Sequence, residues 1–362
     1  MSDILIIGGG VIGLLTAREL AAGGAQVTLV EMGGTGRQAS WAGGGILSPL
    51  YPWRYPGSVT ALAAWSQQVY PELCTELFDE TGIDAEYTRS GLLILDPEEH
   101  ESALAWAETE QIRLDVIARE DIKTKEPGLE IPGTSALWFP EVGQIRNPRL
   151  TKALRIAINK RIDIREHEEV LELRTESGRI TGARTTAGQI DTERVIVCTG
   201  AWTAQLLEKL GRKPHIRPVR GQMILFFAKP GQIHHVTLFR ERYVIPRKDG
   251  RVLIGSTLED TGFDKRTTAE AKEELYRIAV DLFPLLKRTP IEDHWAGLRP
   301  ASPSGIPYIG PYPSVEGLFV NAGHFRNGLV TGPASARLIA DLILGREPIL
   351  PPSFYRLDAN RD

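Results

Sequence analysis

Gly8-Gly9-Gly10-Val11-Ile12-Gly13 decides the fold of this chain. The hexapeptide follows the apolar run Ile4–Ile7 and opens Val11–Ala22, whose apolar residues recur at helical spacing; Val27–Glu31 then returns to β-branched character. Strand, glycine turn, helix and strand in that order form the context in which G-x-G-x-x-G cradles a dinucleotide. Gly8 permits the tight turn, Gly10 lets the backbone approach a pyrophosphate without a Cβ, and Gly13 lets helix and strand pack closely. Free N–H groups at the helix start then face the phosphate. Glu31 stands eighteen residues after Gly13, near the spacing at which an acid accepts from a ribose 2′-OH, and an acid there disfavours a 2′-phosphate. FAD and NAD share this fingerprint, so it does not choose between them.

The whole chain, 362 residues, exceeds the roughly 250–300 that one core serves, so two domains are expected. Hydrophobic residues at 42% and charged residues at 24% match ordinary globular chains and argue against disorder or a fibrous repeat. A net charge of −4 argues against bulk attraction to nucleic acid or anionic lipid. Two basic groups, Arg212, Lys213, Arg217 and Arg220, then Arg240, Arg242, Arg247, Lys248 and Arg251, read as a solvated face, with steering of an anionic substrate as the alternative. Cys74 and Cys198 have no CxxC spacing, which excludes a disulfide framework and fits a reducing cytoplasm. The N-terminus carries Asp3 where a signal peptide would be basic. The longest uncharged run, 55–71, contains Pro, Gly, Ser and Gln and is too short and polar to span a bilayer. His234, His235, His294 and His324 show no ligand spacing, so no metal is assigned.

Further along, a helix is expected over 59–81 with a break or kink at Pro71, a strand over 86–96 and a helix over 97–110. A helix at 149–160 and strands at 162–165, 170–174, 180–185 and 194–198 alternate as though rejoining the first sheet. Strands at 223–227, 243–246 and 252–255, joined by tight turns, indicate an antiparallel sheet. A last helix stops at Gly345. The domains are therefore interleaved: residues 1–80, 141–215 and 300–362 form the nucleotide domain, and 81–140 and 216–299 the other.

Several further segments resemble the FAD-dependent D-amino-acid oxidase and glycine oxidase superfamily, most closely the thiamine-pathway glycine oxidases. They are Gly36-Arg37-Gln38-Ala39-Ser40-Trp41-Ala42-Gly43-Gly44-Gly45, Thr199-Gly200-Ala201-Trp202, Tyr243-Val244-Ile245-Pro246-Arg247, Trp295-Ala296-Gly297-Leu298-Arg299-Pro300 and Gly323-His324-Phe325-Arg326-Asn327-Gly328. The fold so implied is an α/β FAD-binding Rossmann-like domain interleaved with an α+β substrate domain built on an antiparallel sheet. By the same resemblance Val11, Ile12, Glu31 and Met32 lie on the adenine half of FAD, and Val170 meets the adenine. Gln38, Ala39, Gly43, Gly44 and Gly45 line the pyrophosphate and ring, and His324, Phe325, Arg326, Asn327, Gly328, Leu329 and Val330 wrap the flavin edge. Asn327 and Gly328 would open the last helix and present free N–H groups there.

Arg299 and Tyr243 match the positions that hold a substrate carboxylate, for which a two-pronged guanidinium and a phenol are suited donors. Arg326 lies beside them, its contact with substrate or flavin left open. Glu241 is expected to share a strand face with Tyr243, more as a solvated edge residue than as part of the pocket. No cysteine follows Cys198, so the FAD is expected to be non-covalent. The implied reaction is oxidation of glycine, sarcosine or a small D-amino acid, with O₂ as acceptor and peroxide, ammonia or amine, and glyoxylate as products, feeding thiazole synthesis. The rivals are a dehydrogenase using a non-oxygen acceptor and, in other classes, an RNA-modifying flavoprotein or a dinucleotide sensor. A homo-oligomer is compatible with the sequence but not read from it. The loop 48–56, with Tyr51, Trp53 and Tyr55 around Arg54, is expected to cover the entrance as a lid whose rings narrow the pocket.

Overall fold

Ile4–Ile7 and Val27–Glu31 are buried along their whole lengths, as apolar strands are when a parallel sheet is covered on both faces. The computed structural model describes residues 3–95 and 97–361. Its first sheet has six strands in the order Tyr308–Pro311, Leu318–Ala322, Val195–Val197, Ile4–Ile7, Val27–Glu31 and Asp163–Glu166. Only the edge pair Tyr308–Pro311 with Leu318–Ala322 is antiparallel. Alternate side chains serve opposite faces. Ile4 and Ile6 pack with Leu14, Leu62, Leu154 and Leu338 from helices Val11–Ala22, Gly57–Thr81, Asn147–Ile158 and Gly332–Leu344. Leu5 and Ile7 face Leu173, Ile180 and Ile190 on the other side.

Those last residues correct one expectation. Val170–Glu176, Arg179–Thr185 and Gly188–Asp191 do not rejoin the main sheet but form a separate three-stranded antiparallel sheet lying across it. The reason is the length of the connections. Ser177 and Gly178, both at positive φ, close a two-residue turn, whereas a parallel return needs a crossover of a dozen residues or more.

The second sheet has eight strands in the order Ile291–Ala301, Arg217–Phe227, Arg251–Gly255, Arg242–Pro246, Val236–Phe239, Leu92–Leu95, Ser135–Phe139 and Asp115–Ala118. Its pairings are antiparallel except that of Val236–Phe239 with Leu92–Leu95. One face carries Ile224, Val244 and Ile254 under helix Ala269–Leu282, whose Thr268 cap accepts the Ala271 N–H. The opposite face carries Met223, Tyr243, Ile245 and Leu253 and packs on Leu50 and Tyr51.

Three local expectations also change. Pro71 lies inside Gly57–Thr81 without interrupting the helix, which buries Leu62, Ala63, Tyr70 and Leu77 on one side. Glu241 is not on the strand with Tyr243: it sits with Arg240 at the tip of the preceding hairpin, both at positive φ. The last helix opens at Gly332, so Asn327 and Gly328 belong to the turns before it. The expected strand at 86–96 shortens to Leu92–Leu95, and Asp96 lies outside the described residues.

Candidate active site

A cavity of about 420 Å³ is walled by the carboxyl ends of the central parallel strands, the glycine-rich segment after Glu31 and the second sheet. It brings together Gly8, Gly10, Val11, Ile12, Glu31, Met32, Gln38, Ala39, Gly43, Gly44, Gly45, Val170, Tyr243, Arg299, His324, Phe325, Arg326, Gly328 and Leu329. Gly13, Asn327 and Val330 do not line it. A Cβ on Gly13 would lie 1.9 Å from the Gly8 carbonyl, so Gly13 acts by close packing behind the wall. Asn327 accepts the Thr331 N–H at 2.9 Å and Val330 is buried.

Sequence reasoning gave no individual role to Ser40, Ser48, Leu50, Asn147, Thr199 and Trp202, which also line the cavity, although all but Asn147 fall in segments it singled out. Ser40 had a signal: it lies in the Gly36–Gly45 segment, and its Oγ accepts the Val11 N–H at 2.9 Å, capping a helix whose own cap, Gly10, has no side chain. Asn147 opens a helix with Pro148 behind it; its Nδ2 donates to the Ser40 carbonyl at 3.1 Å while its buried Oδ1 has no hydrogen-bond partner among the described residues.

These residues fit a dinucleotide such as FAD. Glu31 accepts the N–H groups of Gly9 at 2.7 Å and Gly33 at 3.0 Å, one on each oxygen, which leaves lone pairs for ribose hydroxyls. The turn is held from behind by Glu166, which accepts from Thr35 at 2.7 Å and from Arg155 at 2.6 Å. Burial opposes ionisation of Glu166, but the Arg155 and Thr35 donors prevail and hold its pKa at about 2. Cys198 also lines the cavity; burial pushes its thiol up to about 12, so it is a protonated wall residue and a poor nucleophile.

Arg299 comes from Ile291–Ala301 and Tyr243 from Arg242–Pro246. The guanidinium donates to Ser256 Oγ at 2.5 Å and to the Thr257 carbonyl at 3.3 Å, both neutral, and among the described residues no carboxylate pairs with it. Burial lowers its pKa, the Tyr243 phenol beside it acts in the opposite sense, and the charge of Arg326 adds to the lowering. A partly buried cation with only neutral partners is costly until an anion reaches it. Tyr243 is buried, its ring packed where a Cβ on Gly44 or Gly255 would fall at about 3 Å. Arg247 holds the glycine loop from below, donating to the carbonyls of Gly44 at 2.7 Å and Ile145 at 3.0 Å.

His324 is 3% exposed. Ser335 Oγ donates to the Thr331 carbonyl at 2.7 Å, so at 3.1 Å from His324 Nε2 it must accept, which places the imidazole proton on Nε2. Burial lowers the His324 pKa from 6.5 to about 3, so the ring stays neutral. Between those values the unfolded chain binds a proton there that the folded chain does not, so stability is lost as pH falls. We expect the FAD-loaded protein to lose about 2 kcal/mol from this ring between pH 7 and pH 5. His324→Gln should show a correspondingly flatter denaturant-midpoint profile over that interval; parallel profiles would contradict it.

Arg326 donates to Glu241 at 2.8 Å and Arg54 donates to the other Glu241 oxygen at 2.7 Å. Burial disfavours ionisation of Glu241, but the hydrogen bond and charge of Arg326 and the charge of Arg54 outweigh it and hold the carboxyl below its ordinary range. Arg54 also meets Glu99 at 2.8 Å, so it is no free attractant for a carboxylate. Nor do the rings of loop 48–56 narrow the cavity: only Ser48 and Leu50 of that loop line it. Trp53 stacks on Phe139, Tyr51 meets Trp53 edge-on, and Tyr55 packs beside the first core and Gly305. The basic groups around the second sheet are largely paired: Lys213 with Glu208, Arg217 with Asp260, Arg220 with Glu259, Arg242 with Glu274 and Arg251 with Glu292. Lys213 and Arg217 are solvated, whereas Arg220 is buried on Glu259 and Arg247 turns inward to the glycine loop, so the set is not one solvated face. Among the described residues no helix is long and apolar enough to cross a membrane.

Comparison with known proteins agrees with the geometry. The chain is 48% identical to a glycine oxidase of Pseudomonas aeruginosa over 97% of both chains. It is 31% identical to the bifunctional protein ThiO/ThiG of a Nostoc species, covering 98% of this chain and 54% of that one. The crystal structure of glycine oxidase from Geobacillus kaustophilus superposes with a TM-score of 0.93 at 30% identity over 99% of each chain. Residues 3–342 match the family model described as FAD dependent oxidoreductase, and with that match and the identity to glycine oxidases the chain belongs to the family of FAD-dependent amino acid oxidases.

Proposed function

We propose that the protein oxidises glycine, and with it sarcosine or small D-amino acids, with O₂ as electron acceptor. The observation that carries this is Arg299, a cation with only neutral partners among the described residues, opening into the same cavity as the glycine cradle. Glycine, O₂ and water become glyoxylate, ammonia and hydrogen peroxide. FAD, when bound, supplies the two-electron acceptor for the α-hydrogen and its bonding electrons. The chain's part is to bind and orient: Arg299 takes the carboxylate through two N–H groups, Tyr243 adds a phenolic donor, and the amine is left unclamped so that its lone pair assists loss of the α-hydrogen. Tyr243 and Arg299 project from different strands of one sheet, which fixes their spacing. His324, Phe325, Arg326, Gly328 and Leu329 line the same cavity and would help hold the flavin when it is bound. No side-chain base is required, and His324, neutral and bonded to Ser335, is not placed as one.

The relatives named glycine oxidase and ThiO/ThiG support the substrate and a role in supplying the imine or its product for thiazole synthesis. The test is peroxide and glyoxylate release by the purified, FAD-loaded protein across glycine, sarcosine, D-alanine and D-proline. Peroxide equimolar with glyoxylate from glycine is expected. Turnover only with an added quinone would replace the oxidase by a dehydrogenase, and no turnover on the panel would remove the substrate assignment.

A further inference from the structure

Four residues with side chains hold positive φ at or next to the residues of the Glu241–Arg326 pair and its Tyr51 partner: Tyr51 at 53°, Arg240 at 46°, Glu241 at 66° and Phe325 at 45°. Conformations so disfavoured without glycine persist where surrounding contacts over-determine them, and they gather at functional sites. Here the contacts converge on Glu241. Its backbone N–H donates to Tyr51 Oη at 3.3 Å, and its carboxylate bridges Arg54 and Arg326. Arg54 in turn lies over the Tyr51 ring at 4.0 Å.

Arg326 lines the cavity and Glu241 does not, so the carboxylate pairs from outside the lining with a guanidinium that belongs to the cavity wall. The Arg326 side chain is 12% exposed against 41% for Glu241, which makes the arginine the more enclosed partner. Resting on the carboxylate-binding assignment above, we propose that Glu241 is a specificity-determining residue. By neutralising Arg326 it leaves Arg299 as the cation open to a substrate carboxylate, and so selects against amines that carry a second negative charge. A dicarboxylate reaching for Arg326 must displace Glu241, whereas a monocarboxylate on Arg299 need not.

The experiment titrates the bound-flavin absorbance of the FAD-loaded protein with acetate and with malonate, neither of which has an amine to oxidise. In Glu241→Gln the preference for malonate over acetate should rise on the order of tenfold, the scale of one partly exposed ion pair. Glu241→Ala, which removes the same charge with a different effect on the hairpin, should move it in the same direction. The rise should disappear in Glu241→Gln/Arg326→Met. Turnover should follow, with the ratio of kcat/KM for iminodiacetate to that for sarcosine rising in the single variants only. An unchanged malonate preference in both single variants overturns the proposal. So does a gain that survives loss of Arg326, since that is a loosened loop. If acetate leaves the wild-type flavin spectrum unperturbed, the carboxylate site itself is wrong and this inference falls with it.

Discussion

Arg299→Ala should yield a folded, yellow, FAD-loaded protein whose kcat/KM for glycine has fallen on the order of 10²-fold or more. The size follows from what the guanidinium lacks. Its acceptors are Ser256 Oγ and the Thr257 carbonyl, so among the described residues the cation is withdrawn from bulk water without a counter-charge, and on the proposed reading a substrate carboxylate would be its first full partner. Alanine leaves that carboxylate facing the Tyr243 phenol alone, and Arg326 cannot substitute while Glu241 holds it. The same reasoning sets the sign of a second readout. Removing an uncompensated cation relieves desolvation in the ligand-free state, so the melting temperature should equal or exceed that of the wild type even as activity falls. Near-normal kcat/KM would place the carboxylate clamp elsewhere. A large loss of both stability and flavin would make Arg299 a structural residue.

The glycine fingerprint was legible because each of its physical demands is written locally: an apolar run, a turn without side chains and an amphipathic start within ten residues. The 170–191 block was misassigned although its two-residue turns were in view, because helix and strand alternation outweighed connection length. Arg299 and Tyr243 rest on resemblance as site residues; no local pattern marks an arginine on a long strand as lacking an acid partner. Ser40 was in plain sight but its role is to cap a helix 29 residues back, a relation that only the fold creates. Trp53 shows the reverse error. Three aromatics and three prolines in a loop beside the cradle read as a lid, yet their rings are satisfied by Phe139, Glu99 and the first core, and the wall falls to Leu50 and Ser48. Glu241 was read as a strand residue because the hairpin tip uses Arg240 and Glu241 where Asn-Gly is the expected pair.

The position least visible in the sequence yields the remaining large effect. Gly221 lies inside Arg217–Phe227, where glycine merely weakens a strand, and it pairs with Gly297 on the strand that carries Arg299. Val219 is the register partner of Arg299, so Gly221 is its diagonal neighbour, within reach of a long side chain leaning along the sheet. It leans there: a Cβ on Gly221 would stand 1.9 Å from Arg299 Nη1 and 2.3 Å from both Cζ and Nη2. The absent side chain at 221 is thus the seat of the guanidinium. The collision is with the far end of a flexible side chain and not with backbone, so Gly221→Ala should fold and bind FAD while the guanidinium is lifted from Ser256. The loss should appear mainly in ground-state binding, with KM for glycine and Kd for acetate both raised by roughly 10- to 100-fold, because a carboxylate clamp displaced by about an ångström loses its two-pronged geometry. Gly297→Ala is the control. Its Cβ would meet the Ala42 side chain at 2.6 Å and not the arginine, so it should disturb the packing between sheet and glycine loop and weaken FAD retention before acetate affinity. Should Gly221→Ala keep wild-type KM and acetate affinity with flavin in place, the guanidinium does not need that seat, and the geometry assigned to the clamp is wrong.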